Sequence, residues 1–355
     1  MKILVAMSGG VDSSVAAALL LKEGHTVEGV TFVTSSDDGE SEAVCDAKKS
    51  ASQLGIPHRT LDISREFDRK VKEYFAASYE AGLTPNPCVI CNREIKFGHI
   101  LRYAEREGFD AVATGHYVRT RHENGRTLLY CGADPKKDQA YVLSMVPEEN
   151  LKKAVFPLGG YTKDEIRKIA EGLGIVTAHK KDSQDICFIP DGDYAAFIEG
   201  YRGTPHVPGD YVSPDGKVLG AHRGHMCYTI GQRKGLGIAL GRHMFVLERR
   251  AESNTVVLGD EAALFKREIF ADSLNLLGCD SVDGAVLNVR VRYAHRGADA
   301  TVTQDGDCVR ILFDEPQRAP TPGQFAVLTC TDSYGTRVLG GCVIRLNAKS
   351  DRKYD

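Results

Sequence analysis

Three short strings in this chain carry side chains suited to group-transfer chemistry. The first is Ser8-Gly9-Gly10-Val11-Asp12-Ser13-Ser14, which follows the apolar run Ile3-Leu4-Val5-Ala6-Met7. Glycines at a strand-to-helix turn let the backbone approach a ligand closely. Helix-start N–H groups and hydroxyls then face an anion. Taken alone, the glycine pair is more simply a tight turn capped by Asp12 or Ser13. The string lacks the Gly-Lys-Ser/Thr of a Walker loop and the third glycine of a dinucleotide fingerprint. If phosphates bind here, Asp12 is placed to share a magnesium ion with them. The second string is Thr84-Pro85-Asn86-Pro87-Cys88-Val89-Ile90-Cys91-Asn92-Arg93. Its prolines predict an extended entry to a helix that begins at Asn92. That puts Cys91 near a helix N-terminus with Arg93 beside it, an arrangement that lowers a thiol pKa. A single C-x-x-C reads as a redox pair, half a zinc site or two iron–sulfur ligands. No second C-x-x-C is present, which weakens the zinc reading. The third string is Asp182-Ser183-Gln184-Asp185-Ile186-Cys187-Phe188-Ile189, in which Cys187 by itself is an ordinary core cysteine.

The elements that must position these strings follow from periodicity and punctuation. Lys2–Met7, Thr26–Phe32, His58–Asp62 and Asp110–Thr114 read as short strands. Asp12–Glu23, Ala43–Leu54, Asn92–Glu107 and Thr162–Glu171 read as helices, with glycine stops and Thr162 as a cap. Strands alternating with helices imply a parallel sheet. Between Gly200 and Gly216 the density of glycine and proline suits a linker. Beyond it come short β-like runs: Met226–Ile230, Met244–Glu248, Thr255–Leu258, Val286–Tyr293, Ala300–Thr303, Cys308–Phe313, Phe325–Thr331 and Gly341–Ile344. These predict a sandwich or small barrel, with Phe265–Asp272 dividing it into two modules. The expected domains are 1–203, 204–266 and 267–348, followed by a frayed polar tail, 349–355.

Composition bounds the function classes. The chain has 355 residues, 42% apolar and 26% charged, with a formal net charge of −3. That length suits two or three domains and argues against a disordered, collagen-like or coiled-coil chain. Near-neutral charge disfavours a histone-like binder but leaves room for a local basic groove. No apolar run reaches the roughly 18 residues of a membrane span, and neither a signal-peptide core nor an Arg-rich leader precedes Lys2. The expectation is therefore a cytoplasmic protein without a membrane partner. Ten cysteines in such a chain are not a disulfide framework.

The phosphate loop resembles that of the ATP-pyrophosphatases, which cleave ATP between the α and β phosphates and adenylate a substrate. Five further strings follow it in order: Asn86–Phe97, Thr114-Gly115-His116-Tyr117, Lys137-Asp138-Gln139, the Cys187 segment and Tyr228-Thr229-Ile230-Gly231-Gln232-Arg233-Lys234-Gly235. Together they resemble the tRNA-specific 2-thiouridylase family over most of the chain. The resemblance implies an α/β fold, with a parallel-sheet ATP-pyrophosphatase domain followed by two small β domains, the last a β-barrel. It implies transfer of sulfur to C2 of the wobble uridine, with Cys187 bearing a persulfide and Cys91 as partner thiol, able to close a Cys91–Cys187 disulfide. It assigns ATP, with Mg2+, to Ala6, Met7, Ser8, Gly9, Gly10, Val11, Asp12, Ser13, Phe32 and Gly115. It assigns tRNA to Asn86, Pro87, Cys88, His116, Lys137, Asp138, Gln139, Arg292, Tyr293 and Gln324. The implied partners are tRNAs of the glutamate, glutamine or lysine type, and a sulfur-relay protein or cysteine desulfurase as donor. Some members of the family carry Asp where this chain has Cys88. That departure raises an iron–sulfur cluster on Cys88, Cys91 and Cys187 as a hypothesis. Two alternatives remain: another adenylating or tRNA-thiolating enzyme on this fold, and a non-catalytic RNA-binding or redox protein. Tyr293 beside Arg292 suits stacking on an unpaired base together with a phosphate contact.

Overall fold

The computed structural model describes residues 1–35, 41–178, 180, 186–239 and 241–345. The expected tail and the Asp182–Asp185 part of the third string lie outside the described residues.

The first unit is a five-stranded sheet of β1 (Lys2–Ala6), β2 (Thr26–Val33), β3 (His58–Asp62), β4 (Ala111–Ala113) and β7 (Ala154–Val155), in the order β3-β2-β1-β4-β7. Every pairing is parallel. Ile3, Leu4 and Val5 are fully buried because both faces of β1 are covered. Ile3 and Val5 pack with Leu20, Ala47 and Ala51, and Leu4 packs on the opposite face with Ile95, Ile100 and Phe109. A strand enclosed on both sides has no polar face, which is why Ile3–Met7 reads as an unbroken apolar run. The chain leaves β1 for β2 on one side and meets β4 on the other. Their carboxyl ends therefore form the switch point where open α/β sheets bind ligands.

The helix Val11–Lys22 follows β1, and the helix Glu42–Gln53 follows β2. Ser64–Phe67, Asp68–Lys72 and Glu73–Glu80 make one helical run with a wider-wound centre, which periodicity did not signal. The next helix starts at Pro87, earlier than the expected Asn92. It runs through a π-wound stretch, Cys91–His99, to Arg106. The side chain of Asn86 caps it by accepting from the N–H groups of Cys88 and Val89. Pro87 sits at the first helical position, where its missing N–H costs nothing. The second proline therefore starts the helix rather than preceding it. The Thr162 cap is present as a reciprocal capping box with Glu165.

The second unit is a four-stranded sheet in the order β10-β11-β8-β9, formed by β8 (Gly209–Val212), β9 (Val218–His222), β10 (Phe245–Arg250) and β11 (Thr255–Gly259). The stretch expected as a linker thus contains β8 and the end of the helix Tyr194–Arg202. Met226–Ile230 is not a strand: it holds a short 3₁₀ turn, His225–Cys227, followed by irregular chain. Its aromatic and apolar side chains are buried for a different reason, as Tyr228 and Ile230 fill the core between the sheet and the next unit. Phe265–Asp272, expected to divide the two β modules, is the first part of β12 (Phe265–Leu276), with which the next unit begins.

That strand opens a six-stranded antiparallel barrel completed by β13 (Val286–Arg290), β14 (Ala298–Asp305), β15 (Cys308–Arg318), β16 (Phe325–Asp332) and β17 (Gly335–Arg345). Pairing of β12 with both β15 and β17 closes it. A hairpin from the first unit, β5 (Val118–Glu123) and β6 (Arg126–Cys131), adds to the barrel through β17. Asn124 and Gly125 at its tip both have positive φ, the turn that an Asn-Gly pair favours.

Three histidines crowd the second unit. His225 is buried with Nδ1 unpartnered, and burial lowers its pKa to about 4, with Arg249, His222 and His206 adding to the shift. A folded-state pKa below the unfolded value means the unfolded chain binds the extra proton. The stability contributed is complete above about pH 6.5 and is lost as pH falls from there towards 4, to a limit of about 3 kcal/mol. Urea unfolding at pH 7.5 and pH 5 should therefore show a loss that His225→Gln reduces. An equal pH dependence in both proteins would refute the assignment.

Candidate active site

The phosphate loop folds around its hydroxyls. The Ser8 N–H donates to Ser13 Oγ at 3.2 Å, and Ser13 Oγ donates to the Gly10 carbonyl at 3.2 Å. Gly10 caps the following helix without a side chain, so neither Asp12 nor Ser13 acts as the cap. The N–H groups of the first turn are left to an incoming acceptor. Gly9 has φ +71°, and a Cβ there would meet the Ala43 carbonyl oxygen at 2.3 Å. Only glycine lets the loop lie against that helix. Met7 is buried; its N–H donates to Val30 O and its carbonyl accepts from Thr31 Oγ1, both at 2.8 Å. Ala6 ends β1, and Val11 is buried at the helix start. From β4, Gly115 closes on the same turn: a Cβ there would lie 3.0 Å from Asp12 C, Asp12 Cβ and Ser13 N.

Asp12 is held by two groups that spacing did not single out. Lys163 Nζ lies 2.8 Å from each of its carboxylate oxygens, and Tyr117 Oη donates to Oδ1 at 2.6 Å. Lys163 is 5% exposed, so this is a largely enclosed ion pair. The signals for both residues stood in the sequence, in Thr114-Gly115-His116-Tyr117 and in the Thr162-capped helix. Nothing in their spacing tied them to Asp12.

Phe32 packs at the end of β2 in the same apolar cluster as Cys91 and Phe188. The nucleotide loop and the cysteines therefore share one edge of the sheet. Cys91 lies in the second turn of its helix, not at the N-terminus. Burial pushes its thiol up to about 12, with smaller upward contributions from Cys187 and Cys88 and an opposing one from Lys96. This reverses the lowered pKa that the sequence suggested. The helix start belongs to Cys88, and Arg93 is engaged with Glu94. Cys88 and Cys187 keep surface access, yet surrounding protein also pushes their thiols up. Cys91 is the least exposed of the three. Phe188 anchors the Cys187 segment by edge contacts with Phe75 and Phe67 at 5.5 and 5.8 Å. All three thiols feel the Lys96 charge, as does His116. His116 is buried between Phe97 and Phe156 and bonded to Thr114 Oγ1 at 2.7 Å; burial holds it neutral, well below its usual pKa. Among the described residues, no group of three or more His, Cys, Asp or Glu side chains is placed to hold a metal ion. Cys88, Cys91 and Cys187 thus do not form a cluster-binding set in this conformation.

The residues expected to meet RNA divide into two groups. Tyr293 is exposed beside an open cleft of roughly 930 Å³ between the 131–138 turn and the barrel, lined also by Arg119, Lys136, Arg290 and Arg296. Burial raises the pKa of its phenol, and the charges of Asp138, Arg290, Lys137 and Cys88 act on it as well. Lys137 is half-buried in the same turn. Tyr293 Oη also donates to Asp138 O at 3.3 Å, and the remaining side chains bond further inside the protein. Asp138 accepts from the N–H groups of Gly132 and Ala140 and pairs with Arg290 at 3.1 Å. Gln139 accepts from Tyr117 N–H at 3.0 Å. Arg292 turns inward to Ile230 O, Ala319 O and Thr321 Oγ1, and Gln324 donates to Thr84 O and Pro85 O. Asn86 and Pro87 build the helix start beneath Cys88. A lone Arg-Tyr pair gives no sign of which partner faces out, because a strand end lets one side chain turn inward.

Comparison with known proteins supplies the family. Residues 1–191 match the model of the tRNA methyl transferase HUP domain, 195–260 the tRNA methyl transferase PRC-barrel domain, and 266–344 the aminomethyltransferase beta-barrel domain. The chain is 44% identical to the tRNA-specific 2-thiouridylase MnmA of Carboxydothermus hydrogenoformans, over 97% of each chain. It is 43% identical to that of Lachnoclostridium phytofermentans, over 97% of this chain and 99% of the relative. It is 41% identical to that of Clostridioides difficile, over 97% of this chain and 98% of the relative. With a nucleotide-type loop and two facing cysteine segments on one sheet edge, and full-length relatives at this identity, the chain belongs to the tRNA-specific 2-thiouridylase family.

Proposed function

We propose that this chain thiolates C2 of the wobble uridine of tRNA and converts ATP to AMP and pyrophosphate as it does so. The observation that carries this reading is that Phe32, Cys91 and Phe188 pack against one apolar cluster of the sheet whose β1 runs into the phosphate loop. The uracil oxygen is a poor leaving group, so it must be activated before sulfur replaces it. The base oxygen attacks the α phosphorus, and pyrophosphate departs against the loop N–H groups and the Ser8 and Ser13 hydroxyls. Asp12 has the charge to meet Mg2+ brought with ATP, but Lys163 and Tyr117 already bond its carboxylate. No step here runs through the metal, nor through an iron–sulfur cluster.

Cys187 carries the incoming sulfur as a persulfide. Its terminal sulfur attacks C2, and the C2–O bond breaks to release AMP. Cys91, as thiolate, then attacks the Cys187 sulfur. The S–S bond to the base breaks, the electron pair stays on the base sulfur as the thiocarbonyl, and a Cys91–Cys187 disulfide forms. An external thiol reductant reopens it, and a persulfide donor reloads Cys187. Lys96 is the cation positioned to favour the thiolates. The wobble base must leave its stack to reach the cysteines, and the cleft beside Tyr293 suits a splayed strand. On this reading the modules divide near residues 203 and 266, with the barrel facing the tRNA. The substrates are glutamate, glutamine or lysine tRNAs, the donor is a sulfur-relay protein or cysteine desulfurase, and the setting is the cytoplasm. Arg292 and Gln324 act by holding modules together rather than by touching RNA.

Incubation with unmodified tRNA, ATP, magnesium and a persulfide donor should yield 2-thiouridine by mass spectrometry of digested tRNA. Cys187→Ser should abolish that product and retain tRNA-dependent pyrophosphate release. Pyrophosphate release with no thiolated base from the unaltered protein would move the assignment to another adenylating reaction. Gly115→Ala pushes a methyl group onto Asp12 and Ser13. The Kd for ATP should rise about tenfold, or ~1.4 kcal/mol, in equilibrium binding; an unchanged Kd would remove Gly115 from the nucleotide site. Because the Cys91 thiol stands near 12, its alkylation by a neutral reagent should accelerate about tenfold per pH unit from pH 7 to 9. A plateau below pH 8 would show that the thiol ionises far more readily.

A further inference from the structure

The two cysteine segments come from different parts of the chain, and both are tied to one buried side chain of the second unit. Arg249, on β10, is 3% exposed. Its Nη2 donates to Gly82 O at 3.0 Å, Leu83 O at 2.6 Å and Thr84 Oγ1 at 3.0 Å. Those acceptors form the strap that runs into Pro85, the Asn86 cap and the turn bearing Cys88 and Cys91. Its guanidinium also lies 5.0 Å from the Tyr79 ring centre, and Tyr79 stacks on Tyr194 at 4.6 Å with 25° between planes. Tyr194 opens the helix that follows the Cys187 segment, and Ile186, Phe188 and Ile189 pack into the same aromatic cluster. Nε and Nη1 of Arg249 are buried without a partner. A core built only for stability gains little from a guanidinium used at one nitrogen, since an apolar side chain would fill the place without orphaned donors.

We propose that Arg249 is a positioning residue for sulfur transfer, setting the Cys91 strand of chain at bonding reach of Cys187. This rests on the functional reading above. Attack of Cys91 on Cys187 needs the two sulfurs in line, and a displacement of about 1 Å at a reacting pair can cost on the order of a hundredfold. The phosphate loop hangs from β1 and β4 and shares no hydrogen bond with Arg249, so adenylation is independent of it.

The test uses the full chain with Arg249→Met, which keeps the apolar stem, and Arg249→Lys, which keeps a donor within reach of the strap. Three readouts are compared: 2-thiouridine formed in a single turnover, tRNA-dependent pyrophosphate release, and the rate of Cys91–Cys187 disulfide formation under a mild chemical oxidant without tRNA or ATP. Arg249→Met should slow disulfide formation and thiolation together by about tenfold to a hundredfold and leave pyrophosphate release within about twofold. Arg249→Lys should recover part of both losses. Thr84→Val, which removes one acceptor, should shift the same two readouts in the same direction by less, and it decides the matter if Arg249→Met does not fold. Equal falls in all three readouts, or unchanged disulfide formation, would overturn the proposal. Absence of 2-thiouridine from the unaltered protein would instead count against the functional reading, because disulfide formation tests Arg249 without tRNA or ATP.

Discussion

A guanidinium taken out of water must be given acceptors, and the cheapest ones in a folded chain are backbone carbonyls that no ladder uses. That requirement holds this molecule together across its units. Arg249 reaches from the second unit into the strap of the first, and Arg292 reaches from the barrel to Ile230 of the second unit and to its own Ala319. Burial lowers the pKa of both, against the direction of an ordinary surface ion pair. Among the described residues, neither has a carboxylate as a hydrogen-bond partner. Each is therefore a directional tie that works only when the carbonyls stand in place. Gln324 adds a neutral version, donating from the barrel to Thr84 O and Pro85 O. Two later units thus converge on four residues that lead to Cys88 and Cys91.

The fold was legible where one strand or helix explains its own pattern. Ile3–Met7 is uniformly apolar because β1 is covered on both faces, and His58–Asp62 and the Thr162 cap stand where their residues put them. The hairpin β5–β6 was missed although Asn124-Gly125 marks its turn. Its partner is β17, about two hundred residues away, and no local pattern records that pairing. The 200–216 stretch was misread because glycine and proline density looks alike in a linker and in a short strand between turns. Met226–Ile230 has strand-like residues whose burial comes from packing between units.

The site was legible as a set of strings and illegible as a set of roles. Order and type picked out the phosphate loop, Gly115, Cys91 and Cys187, and the structure brings their elements to one edge. It also separates residues that look equivalent in the sequence. Arg292 and Tyr293 are adjacent, yet one is an internal tie and the other faces the cleft. In Lys137-Asp138-Gln139, a basic-acidic-amide triplet, Asp138 and Gln139 accept from backbone N–H groups of Gly132, Ala140 and Tyr117 and so serve the turn itself. Arg290, which no motif marked, is what neutralises Asp138. Role depends on which way a side chain turns, and a single sequence has no term for that.

On the proposed mechanism, the electrostatics around the cysteines bear on the order of events. Burial pushes the Cys91 thiol up to about 12, so free Cys91 would be a weak competitor for a persulfide on Cys187 at neutral pH. A persulfide is more acidic than a thiol, so the sulfur carried by Cys187 would ionise before Cys91 does, and the Lys96 charge acts on both positions. The sulfur that the mechanism needs first would thus be the one that ionises first. Deep burial of the second thiol would then be a means of enforcing sequence, which a pair of equally reactive surface cysteines would not provide.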